Sequence, residues 1–262
     1  MNAKPVLFIA AAVGLAVGMI SCGNKQETSE APAPAATSGK AVDPATAGTI
    51  TGTIKLDGTP PKMKAINMAA EPNCSKQHSE SAMTQDIVPG DAGTLQNVVV
   101  YLKGDFSQYT FATPTTPVEI DQKGCMYNPH VLALMTNQPL TVVTSDPTTH
   151  NIHPVPKNNR EWNVSQPPGS PPIMQSFAHE EISIPVKCNV HPWMKAYIAV
   201  VGTPYFQITG KDGSFSLANV PPGTYTVSAW HESYGSSEQS VTIGPKESKA
   251  VTITFKAAAA GD

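Results

Sequence analysis

The sequence predicts an all-β protein built from small sandwiches. Short runs rich in Val, Ile and Thr recur along the chain, and 25 Pro and 19 Gly fall between them. Some of the runs alternate apolar with polar residues, the two-residue period of a strand with one face buried. The joints carry Asp-Gly, Pro-Pro-Gly and Gly-Pro, residues that supply a fixed or positive φ. Together these favour sheets over helices.

Residues 1–22 read as a targeting segment. Lys4 is its only charge, and Pro5 to Ile20 is almost wholly apolar yet short for a membrane span. It ends Met-Ile-Ser-Cys22-Gly, which resembles a bacterial lipobox with cleavage before Cys22 and lipid on its sulfur. The resemblance implies an extracytoplasmic, lipid-anchored protein, in the periplasm at the outer membrane or on the cell surface. Residues 23–47, rich in Ala, Pro, Ser, Thr and Gly, have little to bury and read as a disordered tether.

Gly48 to Leu56 then alternates as a half-buried strand and breaks at Asp57-Gly58. Residues 60–93 show no period and read as a loop. Leu95–Leu102 is a strand around three consecutive Val. Val118–Ile120, Val131–Met135 and Leu140–Thr144 follow, the last ended by Asp146-Pro147. After a polar, Pro-rich loop come Ile173–Phe177, Ile182–Lys187 and Ala196–Val201. The tail offers five more strands, at Tyr205–Thr209, Ser214–Leu217, Thr224–Trp230, Ser240–Ile243 and Ala250–Phe255.

A chain of 262 residues with net charge −3 and 14% charged residues allows one or two domains and offers no basic block for nucleic acid. Its most specific motif is Cys188-Asn-Val-His191-Pro192-Trp193-Met194, with His150-Asn-Ile-His153 upstream. Two His, one Cys and a weak axial Met are the ligand set of a mononuclear (type 1) blue-copper electron-transfer site. Soft sulfur favours Cu(I) and imidazole tolerates Cu(II). Cys188 ends a strand, and a compact loop can wrap His191 and Met194 back onto the same ion.

Four Cys are present. With Cys22 assigned to lipid and Cys188 to metal, Cys74 and Cys125 remain, and outside the cytosol such thiols tend to pair. The alternative is a second metal site of Cys74, His78, Cys125 and His130. The simpler reading of His130 is a satisfied edge or core residue. His78 and His231 read as surface residues, His231 at a strand end.

Residues from about 118 to 201 resemble a cupredoxin, and the Cys-x2-His-x2-Met loop resembles that of amicyanin. The resemblance implies a Greek-key sandwich with His150, Cys188, His191 and Met194 as ligands. It favours His150 over His153, and it implies that His191 reaches the surface in an apolar patch that Pro192 and Trp193 help form. Asp212-Gly213-Ser-Phe215 with Pro222-Gly223-Thr-Tyr225 resembles the core of the carboxypeptidase regulatory-like (transthyretin-like) sandwich. Gly48–Ile54 and Asn97–Tyr101 resemble its first strands. The expected organisation is therefore one such sandwich from 48–104 plus 204–262, with a cupredoxin at 105–203 inserted; two consecutive domains are the alternative.

These readings imply a membrane-tethered electron carrier without substrate turnover, not an enzyme, serving a redox partner such as a cytochrome or dehydrogenase. Two other readings stay open. One is copper handling, although the nine Met are scattered. The other is a surface adhesion lipoprotein whose copper is structural.

Overall fold

The computed structural model describes residues 39–257. Cys22, the targeting segment and the tether as far as residue 38 lie outside them. Two strands come first, β1 (Gly48–Asp57) and β2 (Val99–Lys103). The middle of the chain holds β3 (Val118–Lys123), β4 (Met126–Asn128), β5 (Val131–Met135), β6 (Leu140–Thr144) and β7 (His150–Pro154). It continues with β8 (Val164–Gln166), β9 (Ile173–Gln175), β10 (Glu181–Lys187) and β11 (Lys195–Val201). The tail adds β12 (Phe206–Ile208), β13 (Ser214–Val220), β14 (Gly223–His231), β15 (Gly235–Ile243) and β16 (Ser248–Lys256). The described residues form helix only in short turns, at Pro72–Ser75 and Asp91–Gly93. The protein is all-β.

The described residues form four sheets, in the orders β13-β1-β16, β12-β2-β14-β15, β5-β11-β10-β7-β8 and β4-β3-β6-β9. The first two enclose one core, with Ile50, Ile54, Val98, Val100, Phe215 and Val227 inside it. The other two enclose a second, with Ile120, Tyr127, Leu132, Leu134, Ile152 and Ile198. Each core is filled from alternate positions along its strands, as the two-residue period requires.

β1 runs parallel to β16 over nine pairs and antiparallel to β13. β2 lies between β12 and β14. The two N-terminal strands thus complete a sandwich whose remaining strands come after β11. The β3–β11 segment leaves that sandwich after β2 and returns to it at β12.

Two expectations need correction. Residues 39–47 are not a free tether. Lys40 donates its N–H to Gln108 O at 3.0 Å and accepts from Thr110 N at 3.1 Å, Thr46 O accepts from Lys246 N at 3.0 Å, and Ala47 is buried. Partners far along the chain satisfy this backbone, which composition alone cannot reveal. His231 is not solvent-facing but 1% exposed, beneath the Tyr234 and Phe255 rings.

Candidate metal centre

Cys188 follows β10 directly and Met194 precedes β11 directly. Because Lys187 pairs with Lys195, residues 188–194 form the loop of an antiparallel hairpin. Internal bonds close it: Cys188 N donates to Met194 O at 3.2 Å and Met194 N to His191 O at 2.9 Å. His191 N points at Cys188 Sγ, 3.4 Å away. Cys188, His191 and Met194 are all buried.

His150 opens β7, the strand beside β10. The Tyr127 hydroxyl pins these two strands, donating to Asn151 O at 2.6 Å and Lys187 O at 3.1 Å. His150 Nδ1 and His191 Nδ1 are 3.0 Å apart, and His191 Nδ1 is 3.9 Å from Cys188 Sγ. A tetrahedral ion bonded at ~2.0 Å to nitrogen and ~2.3 Å to sulfur would set such atoms ~3.3 to ~3.5 Å apart. The observed spacing brackets those values, and ligand atoms of His150, Cys188 and His191 all lie within 4.8 Å of one another. The free, buried thiol of Cys188 suits a soft or borderline ion.

The cluster has a supporting shell. Asp146, fully buried, accepts from His150 Nε2, Gly124 N and Cys125 N, each at 2.7 Å. Gly124 and Cys125 form the two-residue turn between β3 and β4, both with positive φ, which aims their amides at this carboxylate. Asn151 Oδ1 accepts from Asn189 N at 2.6 Å and stands 3.4 Å from Cys188 Sγ, stitching β7 to the hairpin loop.

These contacts set the protonation states. Burial pushes the Asp146 carboxyl up, but its bonds from His150 and the two amides outweigh this and hold it below the ordinary value. Burial opposes the charged form of His150, yet Asp146 and Cys188 raise its pKa to about 9. Burial and then the charge of His150 lower His191. Burial would raise the Cys188 thiol, and bonds from His150 and nearby amides bring it down instead. Before a metal binds, the pair of facing Nδ1 atoms therefore shares a proton held by His150. Metal binding must release it.

Cys74 and Cys125 form a disulfide with Cα atoms 5.4 Å apart, leaving Cys188 unpaired. The other two members of the alternative second site go elsewhere. His78 Nε2 donates to Gly124 O at 2.7 Å. It is half-buried, not a free surface residue, because the disulfide pulls its loop onto the β3–β4 turn. His130 is buried, donates from Nδ1 to Lys195 O at 3.1 Å and pairs with Glu232 through Nε2. His153 is held by Asn189 Oδ1 at 3.1 Å and Glu161 at 2.6 Å, away from the cluster.

The expected surface exit of His191 is corrected. Its side chain is 0% exposed, because Cys74 covers its outer edge with Sγ 3.5 Å from Nε2. Pro192 is exposed and Val190 50% exposed, while Trp193 is half-buried, its Nε1 donating to Cys125 O at 3.1 Å. Asp146 and Asn151 were not foreseen as site residues. The one local signal is a carboxylate four residues before His150, and Asp146-Pro147 is equally the pattern of a strand break.

The sequence matches the carboxypeptidase regulatory-like domain over residues 191–256. The match omits β1 and β2, which complete that sandwich. None of the curated proteins compared matches the chain. Among solved structures, a purple cupredoxin from Nitrosopumilus maritimus is 21% identical over 31% of this chain and 97% of its own, with a TM-score of 0.27. An oxidised point mutant of amicyanin is 19% identical over 32% of this chain and 81% of its own, with a TM-score of 0.28. A copper-containing nitrite reductase from Thermus scotoductus SA-01 is 19% identical over 32% of this chain, which spans only 22% of that enzyme, with a TM-score of 0.30. At these scores the likenesses carry no argument about function. The chain is an all-β protein with a segment, residues 191–256, that matches the carboxypeptidase regulatory-like domain, and with a buried His–Cys–His cluster.

Proposed function

We propose that this protein is an extracytoplasmic electron carrier, not an enzyme, with one copper held by His150, Cys188, His191 and Met194. The reading rests on one observation above all. Two imidazole nitrogens and the only free thiol among the described residues converge within 4.8 Å inside a rigid β core. When bound, copper supplies one-electron exchange between Cu(II) and Cu(I). The chain's part is to hold both ligand nitrogens on strand ends and hairpin turns that change little between the two states. Burial keeps water off the ion, and Asp146 and Asn151 fix the ligand directions. The disulfide fits a compartment outside the cytosol. A lipid on Cys22 would anchor the protein to the membrane, and the Val190–Pro192 edge would offer a small apolar face to a redox protein such as a cytochrome or dehydrogenase.

Exposed Met63 and Met83, each 39% exposed on the loop that carries Cys74, lend some support to a second reading in which copper is captured and delivered. Visible absorption and EPR after Cu(II) addition separate the two. An intense thiolate-to-copper band, lost in Cys188→Ser, is expected of the carrier. A colourless protein that exchanges Cu(I) readily would sink the carrier and favour delivery. Release of the protein from membranes by Cys22→Ser tests the anchor.

A further inference from the structure

His191 presents two nitrogens to two different sets of partners. Nδ1 faces His150 and Cys188. Nε2 faces Cys74 Sγ at 3.5 Å and has no oxygen or nitrogen partner among the described residues. A disulfide sulfur is a weak acceptor, so this fully buried nitrogen is poorly satisfied. His150 differs, because its Nε2 meets the Asp146 carboxylate.

We infer that reduction of the Cys74–Cys125 disulfide opens a second, soft-metal site made of both thiolates and His191 Nε2, suited to Cu(I). Ligand atoms of these three buried residues lie within 4.8 Å of one another, and so do those of Cys125, Asp146 and His150. Two thiolates and an imidazole match a soft, closed-shell ion. The frame around the sulfurs does not depend on the S–S bond alone. Cys125 is held by the Asp146 carboxylate through its N–H and by Trp193 through its carbonyl. The turn that carries Cys74 is tied to the β3–β4 turn by His78, whose Nε2 donates to Gly124 O at 2.7 Å. On one ion the sulfurs need part only to ~3.8 Å, which a Cα separation of 5.4 Å permits.

The opening step is thiol–disulfide exchange. A dithiol donor supplies two electrons and two protons and closes its own disulfide; the S–S bond breaks and two thiols form. Cu(I) then displaces both thiol protons and the ring proton that His191 carries on Nε2 while its Nδ1 faces His150 or an ion. His191 is shared with the proposed copper centre, but the second site does not require that centre to be filled.

The test is an anaerobic titration of the full chain with Cu(I) against a chromophoric Cu(I) chelator. The chain is compared as isolated and after phosphine reduction, a comparison that needs no variant to fold. Reduction should add one bound equivalent. Cys74→Ser/Cys125→Ser should show no such gain, and Cys188→Ser should keep it. Equal stoichiometry before and after reduction, or a gain that survives in the double serine variant, would overturn the site. An oxidised chain that binds no copper while the reduced chain binds one equivalent would sink the proposed carrier and leave this inference standing.

Discussion

Asp146 shows how one residue organises the cluster. Its two carboxylate oxygens take two backbone N–H groups from the β3–β4 turn and the ring N–H of His150 from β7, so the position of His150 is tied to that of Cys125. Asp146→Asn keeps the size but replaces an acceptor oxygen with an NH2 group facing a backbone N–H. We expect copper affinity to fall by about 10- to 100-fold, the usual cost of losing such a support. Chelator competition measures this, and unchanged affinity would show that His150 is held by packing alone. The types of the ligand residues were legible because Cys-x2-His-x2-Met is a local pattern. Asp146 was not, because nothing local shows that a residue ending a strand also accepts amides from a turn 21 residues earlier.

Among the elements, β1 is the most constrained. It sits between β13 and β16, and Gly52 lies at its centre. A Cβ there would fall 2.4 Å from the Phe215 ring and 2.4 Å from Val251 O. Gly52→Ala should therefore destabilise the protein by at least ~1–3 kcal/mol, the range for overpacking. Denaturant midpoints read the loss; a wild-type midpoint would mean that both the Phe215 ring and the β16 backbone at Val251 give way freely. The helical turn Pro72–Ser75 is held differently, by a disulfide across 51 residues. Chain-entropy arguments put its contribution at ~4 kcal/mol. Cys74→Ala/Cys125→Ala should lower the unfolding free energy on that scale and leave His191 open to solvent, seen as faster carbethoxylation of the metal-free protein. Compact runs bounded by turn residues, the wholly apolar Val131–Met135 and the Val/Thr-rich Leu140–Thr144, were readable to their end residues. β4 and β8 were not, being three residues long, and β7 is a polar run of two His, Asn and Pro around one Ile.

Across the whole molecule, the two sandwiches are joined by a small apolar cluster and a polar one. Val99 of β2 packs with Val131 and Ala199, flanked by Tyr197 and Trp230, whose rings are 5.3 Å apart. Next to them, buried Glu232 bridges His130 and Lys195. Calorimetry is expected to record one unfolding transition, and two resolved transitions would show that the junction does not couple the sandwiches. His231 lies beside this junction with Nε2 unpartnered. Burial first, then His130, depress its pKa to about 4. Above pH 6.5, the unfolded value, folded and unfolded chains are both neutral here and stability does not change with pH on its account. Below that the unfolded chain binds a proton that the folded chain refuses, so stability falls as pH drops from 6.5 toward 4, by ~3 kcal/mol in all. His231→Phe should flatten that part of the acid loss in urea titrations, and an identical pH slope would count against it.

Composition and period by themselves determined that this chain forms β-sandwiches, and local spacing determined which residue types a metal would meet. Only the tertiary structure decided that strands before β3 and after β11 share one sandwich, that a disulfide and not solvent covers His191, and that Asp146 supports His150. The reason is physical. Strand period and hairpin spacing are written in neighbouring residues, whereas the contact between Cys74 and His191 joins groups 117 positions apart. Such contacts exist only once the sheets have packed.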